Sequence, residues 1–185
     1  MQQLQLYRYS LALPVPRAVA SRIVALREAF GLTVSPVGVE RLHMTLCLSD
    51  DYPDPQPMFA ERVEQALADV PLPECGVRLD TITGGHGPVV LLANHERGGV
   101  RELQRLLSRR LAGHGISARE GARFSPHVTV AYDRSFTTSR AIDPIAWRAD
   151  EVVLVERAVG RIQHQHLGSW DLGTAPANEQ ASFGF

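Results

Sequence analysis

The sequence predicts an α+β fold built from two similar halves, and three observations carry that prediction. Strand and helix patterns alternate unevenly, with hairpins as well as crossovers. A His-x-Thr-apolar unit occurs twice, as "HMTL" from His43 and "HVTV" from His127, 84 positions apart (127 minus 43). Each copy opens a strand, and the helical segments before the two copies are similar in length. With seven His and eight Thr in the chain, chance gives roughly 0.3 His-x-Thr matches in total. Two matches in the same context point to an internal duplication. Duplicated halves pack about a two-fold axis, which would bring the two strands together at a groove.

Taken in order, "LQLYRYSLALP" reads as a first strand ended by Pro14 and Pro16. Val15, Val19, Ile23, Leu26 and Phe30 then recur at helical spacing, with Gly31 as the stop. In "RLHMTLCLSD", Leu42, Met44, Leu46 and Leu48 have period two, so strict alternation sets His43, Thr45, Cys47 and Ser49 on the other face. "DDYPDPQP" is a loop, and Met58, Phe59, Val63, Leu67 and Val70 mark a second helix. "CGVRLDTITGGHGPVVLLAN" reads as two strands around a Gly-rich turn. Val100, Leu103, Leu106, Leu107 and Leu111 mark a third helix, and "FSPHVTVAYD" the strand of the second motif. "EVVLVERAV" is a further strand, and "GRIQHQHLGSWDL" reads as the last. Residues 1–172 are expected to form one bilobal domain, with 173–185 as a flexible tail.

The 185 residues suffice for one good core, and the net charge of −1 means that any polyanion site must be local. No run approaches the length of a membrane span, the first residues lack the pattern of a signal peptide, and two cysteines make no disulfide framework. A cytoplasmic location and a monomer are expected, with no membrane partner. All 19 basic residues are arginine. The lack of lysine excludes a lysyl-nucleotide intermediate, a Schiff-base lysine and a P-loop lysine.

The paired "HMTL" and "HVTV" resemble the defining marks of the 2H phosphoesterases. "YSLALPVPRAV", "GHGPVVLLA" and "LVERAVGRIQHQHLGSWDL" are similar to flanking elements of the bacterial RNA 2′,3′-cyclic phosphodiesterases, also called 2′-5′ RNA ligases. The resemblance implies a bilobal fold with two antiparallel-rich sheets flanking a central cleft, helices outside. It also implies opening of a 2′,3′-cyclic phosphate to a 2′-phosphate, with reversible 2′-5′ ligation as a side activity. The partner would be RNA with a cyclic phosphate end or a small cyclic nucleotide. No cofactor and no metal would be needed.

The chemistry suits the residues themselves. Opening a cyclic phosphodiester needs a base for water and an acid for the departing ribose oxygen, and two imidazoles can supply both. His43 and His127 are the expected acid and base; which is which stays open. Thr45 and Thr129 are expected to hold the phosphate oxygens. Two positions depart from the family: Leu48 stands where an aromatic residue is common, and Tyr132 where an arginine is common. Leu48, Tyr132 and Arg134 are therefore counted with the substrate-binding residues, and Arg123 is a further candidate for the missing arginine.

Other signals have plainer readings. His164 and His166 form an H-x-H pair without an evident third ligand, and are read as structural rather than metal-binding. His86, His95 and His114 read as exposed, and Cys47 as a small cleft-lining residue. Arg101, Arg105 and Arg109 form a helical stripe that reads as a solvated face. Two rivals remain. A non-catalytic RNA- or nucleotide-binding module would have no turnover for a His43 substitution to abolish. A metallohydrolase using His164 and His166 would be inactive in EDTA.

Overall fold

A computed structural model describes residues 5–85, 87–94, 99–119, 123–160 and 164–173. Eight strands, β1 (Tyr7–Pro14), β2 (His43–Leu48), β3 (Cys75–Thr83), β4 (Gly87–Leu92), β5 (His127–Asp133), β6 (Ser139–Ala149), β7 (Glu151–Ala158) and β8 (His164–Asp171), form one sheet in the order β6-β3-β4-β5-β2-β1-β7-β8. All pairings between these strands are antiparallel. The helices are α1 (Arg17–Ala29), α2 (Phe59–Leu67) and α3 (Val100–Gly113). Among the described residues no helix is long and apolar enough to cross a membrane.

The expected two halves are the two four-stranded groups, β6-β3-β4-β5 and β2-β1-β7-β8. They meet edge to edge, through the pair Met44↔Val128, and so become one continuous sheet. The motif strands are neighbours rather than walls facing each other.

One face of this sheet carries the main core. Tyr9, Leu11 and Leu13 of β1, Met44 of β2 and Val128 and Val130 of β5 are packed there with Ile23 of α1, Val63 of α2 and Leu103 and Leu107 of α3. Apolar stripes at helical spacing seat the three helices on a face that alternation has already made apolar. Across the sheet, Ala12, Val153 and Val155 form a small separate cluster. On that second face Val155 lines a cavity together with Thr45 and His164.

Strand β6 was not apparent in the sequence. It is the edge strand beyond β3, its first half is largely exposed, and it tolerates Pro144 in mid-strand. An edge strand can accept a proline because one row of its backbone groups needs no partner. A short 3-10 turn at Val39–Arg41 leads into β2. The chain is held as far as Gly173, whose amide donates to the Leu72 carbonyl at 2.8 Å. His86, His95 and the tail from residue 174 onward lie outside the described residues.

Candidate active site

Both motif strands contain a β-bulge, and it falls at the same place in each. On β2, Thr45 pairs with Ala12 and Cys47 with Leu11, so Leu46 is the extra residue. On β5, Thr129 pairs with Val90 and Ala131 with Val89, so Val130 is the extra residue. Each bulge lies three positions after its histidine. A bulge resets the alternation of faces, so the fifth residue after each histidine, Leu48 and Tyr132, turns onto the face of the His and Thr.

This corrects the face expected for Cys47, although the residue does contribute to the lining of a cavity that Thr45 and His127 share. Strict alternation set it beside His43 and Thr45, but the bulge turns it toward α3, where it is 6% exposed and its Sγ lies 3.4 Å from Ser108 Oγ. Burial pushes its thiol up to about 11, with the Ser108 contact opposing. A thiol so held is a poor nucleophile near neutral pH.

The second bulge also links the halves. The carbonyl of Val130 accepts the Val37 amide at 3.0 Å and the buried Arg27 guanidinium at 3.2 Å. Arg27 thus ties the end of α1 to the strand of the other motif.

His43 and His127 are anchored alike. His43 Nδ1 lies 2.7 Å from the carbonyl oxygen of Arg41, and His127 Nδ1 lies 2.7 Å from that of Ser125. A carbonyl only accepts, so each Nδ1 carries its hydrogen and each Nε2 is left as the atom that exchanges a proton. Antiparallel register about Met44↔Val128 sets His43 beside Thr129 and Thr45 beside His127. The four motif side chains therefore gather where the halves meet.

Their surroundings differ. The pKa of His43 lies below the usual imidazole value, chiefly through burial; the Arg41 carbonyl opposes this, and the charges of Arg157, His127 and His166 add to it. His164 stands edge-on to the His43 ring, centroids 5.7 Å apart, and burial with the charges of His43 and Arg157 brings its own pKa down to about 4. Two cavities open from the motifs and share Thr45 and Leu48 as a common wall. One of about 240 Å3 lies toward α3 and is lined also by His127, Phe124, Arg119, Arg123 and Gln104. The other, about 150 Å3, lies toward β8 and includes Arg8, Arg157 and His164.

The structure thus brings His43, Thr45, Leu48, His127 and Thr129 together. Tyr132, 53% exposed, and exposed Arg134 lie at the outer end of β5, away from His127. Arg123 lines the larger cavity. The sequence reading missed His164 beside His43, and Phe124 three residues before the second motif; the "HQH" pair on a strand was the available signal for the first. Arg101, Arg105 and Arg109 are exposed, as a solvated stripe should be. Among the described residues no three His, Cys, Asp or Glu side chains cluster as metal ligands would.

Comparison with known proteins agrees with this fold. Escherichia coli LigT complexed with 3′-AMP superposes with a TM-score of 0.72 at 20% identity, covering 91% of this chain and 99% of that one. A structure described as a phosphoesterase gives 0.71 at 20% identity, over 92% and 99%. A protein of Thermus thermophilus, TT0787, gives 0.67 at 17% identity, over 89% and 97%. No curated protein matches by sequence. A family model of the 2′-5′ RNA ligase superfamily matches residues 15–161, both motifs included. With the paired motifs, the shared fold and that match, the chain belongs to the 2′-5′ RNA ligase superfamily, that is, to the 2H phosphoesterases.

Proposed function

We propose that this protein opens 2′,3′-cyclic phosphates to 2′-phosphates by paired histidine acid-base catalysis, and that a 5′-hydroxyl attacking the same cyclic end in place of water, with the bond to the 3′-oxygen again breaking, gives a 2′-5′ linkage reversibly. The observation that carries the reading is the matched anchoring of the two imidazoles, each with Nδ1 fixed on a carbonyl 2.7 Å away. Both Nε2 atoms are thereby free for proton transfer in one cleft.

In this reading His43 is the base, because its lowered pKa keeps it neutral near pH 7. Its Nε2 takes a proton from water as the water oxygen bonds to phosphorus. The bond from phosphorus to the ribose 3′-oxygen breaks on the opposite side, and His127 Nε2–H gives that oxygen its proton. The phosphate stays on the 2′-oxygen. Thr45 and Thr129 donate their hydroxyls to the non-bridging oxygens, where charge accumulates in the transition state. The enzyme ends with a protonated His43 and a neutral His127, and solvent exchange restores the start. The related LigT structures, solved with 3′-AMP, ATP or NADP+, support a nucleotide as the ligand of such a cleft.

The test is turnover, in EDTA, of an RNA oligomer ending in a 2′,3′-cyclic phosphate. His43→Ala and His127→Ala should each lower kcat by about 10²–10⁴-fold, with the oligomer still bound. An oligomer that binds but is never opened by the wild type would indicate a binding module. Activity that EDTA abolishes would indicate a metallohydrolase.

A further inference from the structure

One half of the cleft carries a charge pattern that this reaction does not use. Arg8 on β1, Arg157 on β7 and His164 on β8 stand directly opposite one another across three adjacent strands. Like charges in directly opposed positions destabilise a sheet. Arg8 is offset by Asp51, which accepts from it at 2.6 and 2.8 Å and also from Arg119 at 3.3 Å. Arg157 has no such offset. It is half-buried, and no hydrogen bond or ion pair reaches its guanidinium among the described residues. It lines the cavity of about 150 Å3 that runs from His164 and Arg8 to Thr45. In the other half the arginines near the motif, Arg119 and Arg123, line the larger cavity, and Arg119 already reaches Asp51.

We propose that this flank is an anion subsite, in which Arg157 receives a second phosphate of the substrate, with Arg8, Ser10 and His164 as its walls. A guanidinium left unpaired in a cavity presents donors that match phosphate oxygens two at a time. Thr45 lies in the same cavity, so the second phosphate would sit next to the reacting one. The inference rests on the reading of the cleft as a cyclic phosphodiesterase site. It makes the favoured substrate a nucleoside cyclic phosphate bearing one further phosphate. That group is either a terminal 5′-monoester or the diester to a preceding nucleotide.

The experiment compares kcat/KM for adenosine 2′,3′-cyclic phosphate, its 5′-phosphorylated form and the dinucleotide ApA ending in a 2′,3′-cyclic phosphate. The wild type should prefer at least one phosphate-bearing substrate by about tenfold, and Arg157→Gln should bring that ratio toward one. Which substrate gains identifies the source, monoester or diester. A wild-type ratio near one for both, or a ratio that survives Arg157→Gln, overturns the subsite. Each ratio is taken within one protein, so a loss of folded material does not move it. Should no cyclic phosphate turn over, calorimetry with adenosine 2′-phosphate, adenosine 2′,5′-bisphosphate and ApA ending in a 2′-phosphate still decides. An advantage of about tenfold for the bisphosphate, or for ApA ending in a 2′-phosphate, that Arg157→Gln removes supports the subsite, and equal affinities of all three ligands overturn it.

Discussion

The half of the molecule around His43 and the half around His127 share their backbone and differ in what surrounds it. In both, a helix precedes the motif strand, Nδ1 bonds to the carbonyl two residues back, and a bulge falls three residues after the histidine. Beyond that frame the halves part. His43 is crowded by His164, which shares a cavity with Arg8 and the unpaired Arg157, whereas His127 opens onto a larger cavity lined by Phe124, Gln104, Arg119 and Arg123. The comparison separates what a duplicated motif must keep from what it is free to change. Orientation of the imidazole and threonine is kept in both copies, and the flanks differ in what lines them. Such a division suits an in-line displacement, whose two sides handle protons in opposite directions.

The largest effect tests whether the halves are one folding unit. Met44 and Val128 form the pair that joins them, and both are 0% exposed. Met44→Ala should cost about 2–5 kcal/mol by removing buried methylene and sulfur contacts and leaving a cavity. Urea unfolding should stay a single transition, since the core runs through both halves. Two separate transitions would mean that the halves are independent and that the shared core is incidental.

Next in size are the threonines. The antiparallel register gives Thr45 and Thr129 equivalent positions beside the opposite histidine, so Thr45→Val and Thr129→Val should each lower kcat by about 10²-fold. Single-turnover rates with saturating substrate would measure this. Losses that differ by more than about tenfold would show that the symmetry of the backbone does not extend to the phosphate.

How much of this was legible in the sequence follows the same division. Repetition of His-x-Thr identified the motif residues, because period-two apolar neighbours mark a strand whatever it pairs with. Strict alternation then misplaced Cys47, since Leu46 is extruded by the hydrogen-bond register with β1, a property of the partner strand. Leu48 and Tyr132 reached the cleft face only through those bulges. Strand β6 escaped because an exposed edge strand with Pro144 lacks the apolar alternation that identifies the others. The contact of His164 with His43 joins residues 121 positions apart (164 minus 43). It depends on how the sheet curls to bring the start of β8 near β2, which no local pattern encodes.

The smallest effect concerns that contact and its sign can be worked out. If His43 is the base, kcat/KM falls as pH drops through its pKa, below the ordinary imidazole range. Burial is the main cause of the lowering, and His164 is part of what buries it. His164→Ala should admit water, raise the His43 pKa and move the acid limb of the kcat/KM profile to higher pH. Stability gives a second reading. His164 has a pKa of about 4 in the folded protein against 6.5 unperturbed, so the unfolded chain binds its proton first as pH falls. The wild type should therefore lose stability between about pH 6.5 and 4 and no further from this group below that window, while above it the group contributes no slope. His164→Ala should flatten the decline, seen as a smaller difference between urea midpoints at pH 7 and pH 5. An unchanged acid limb together with an unchanged pH slope would mean that His164 only abuts His43, leaving the cavity linings as the main difference between the two halves.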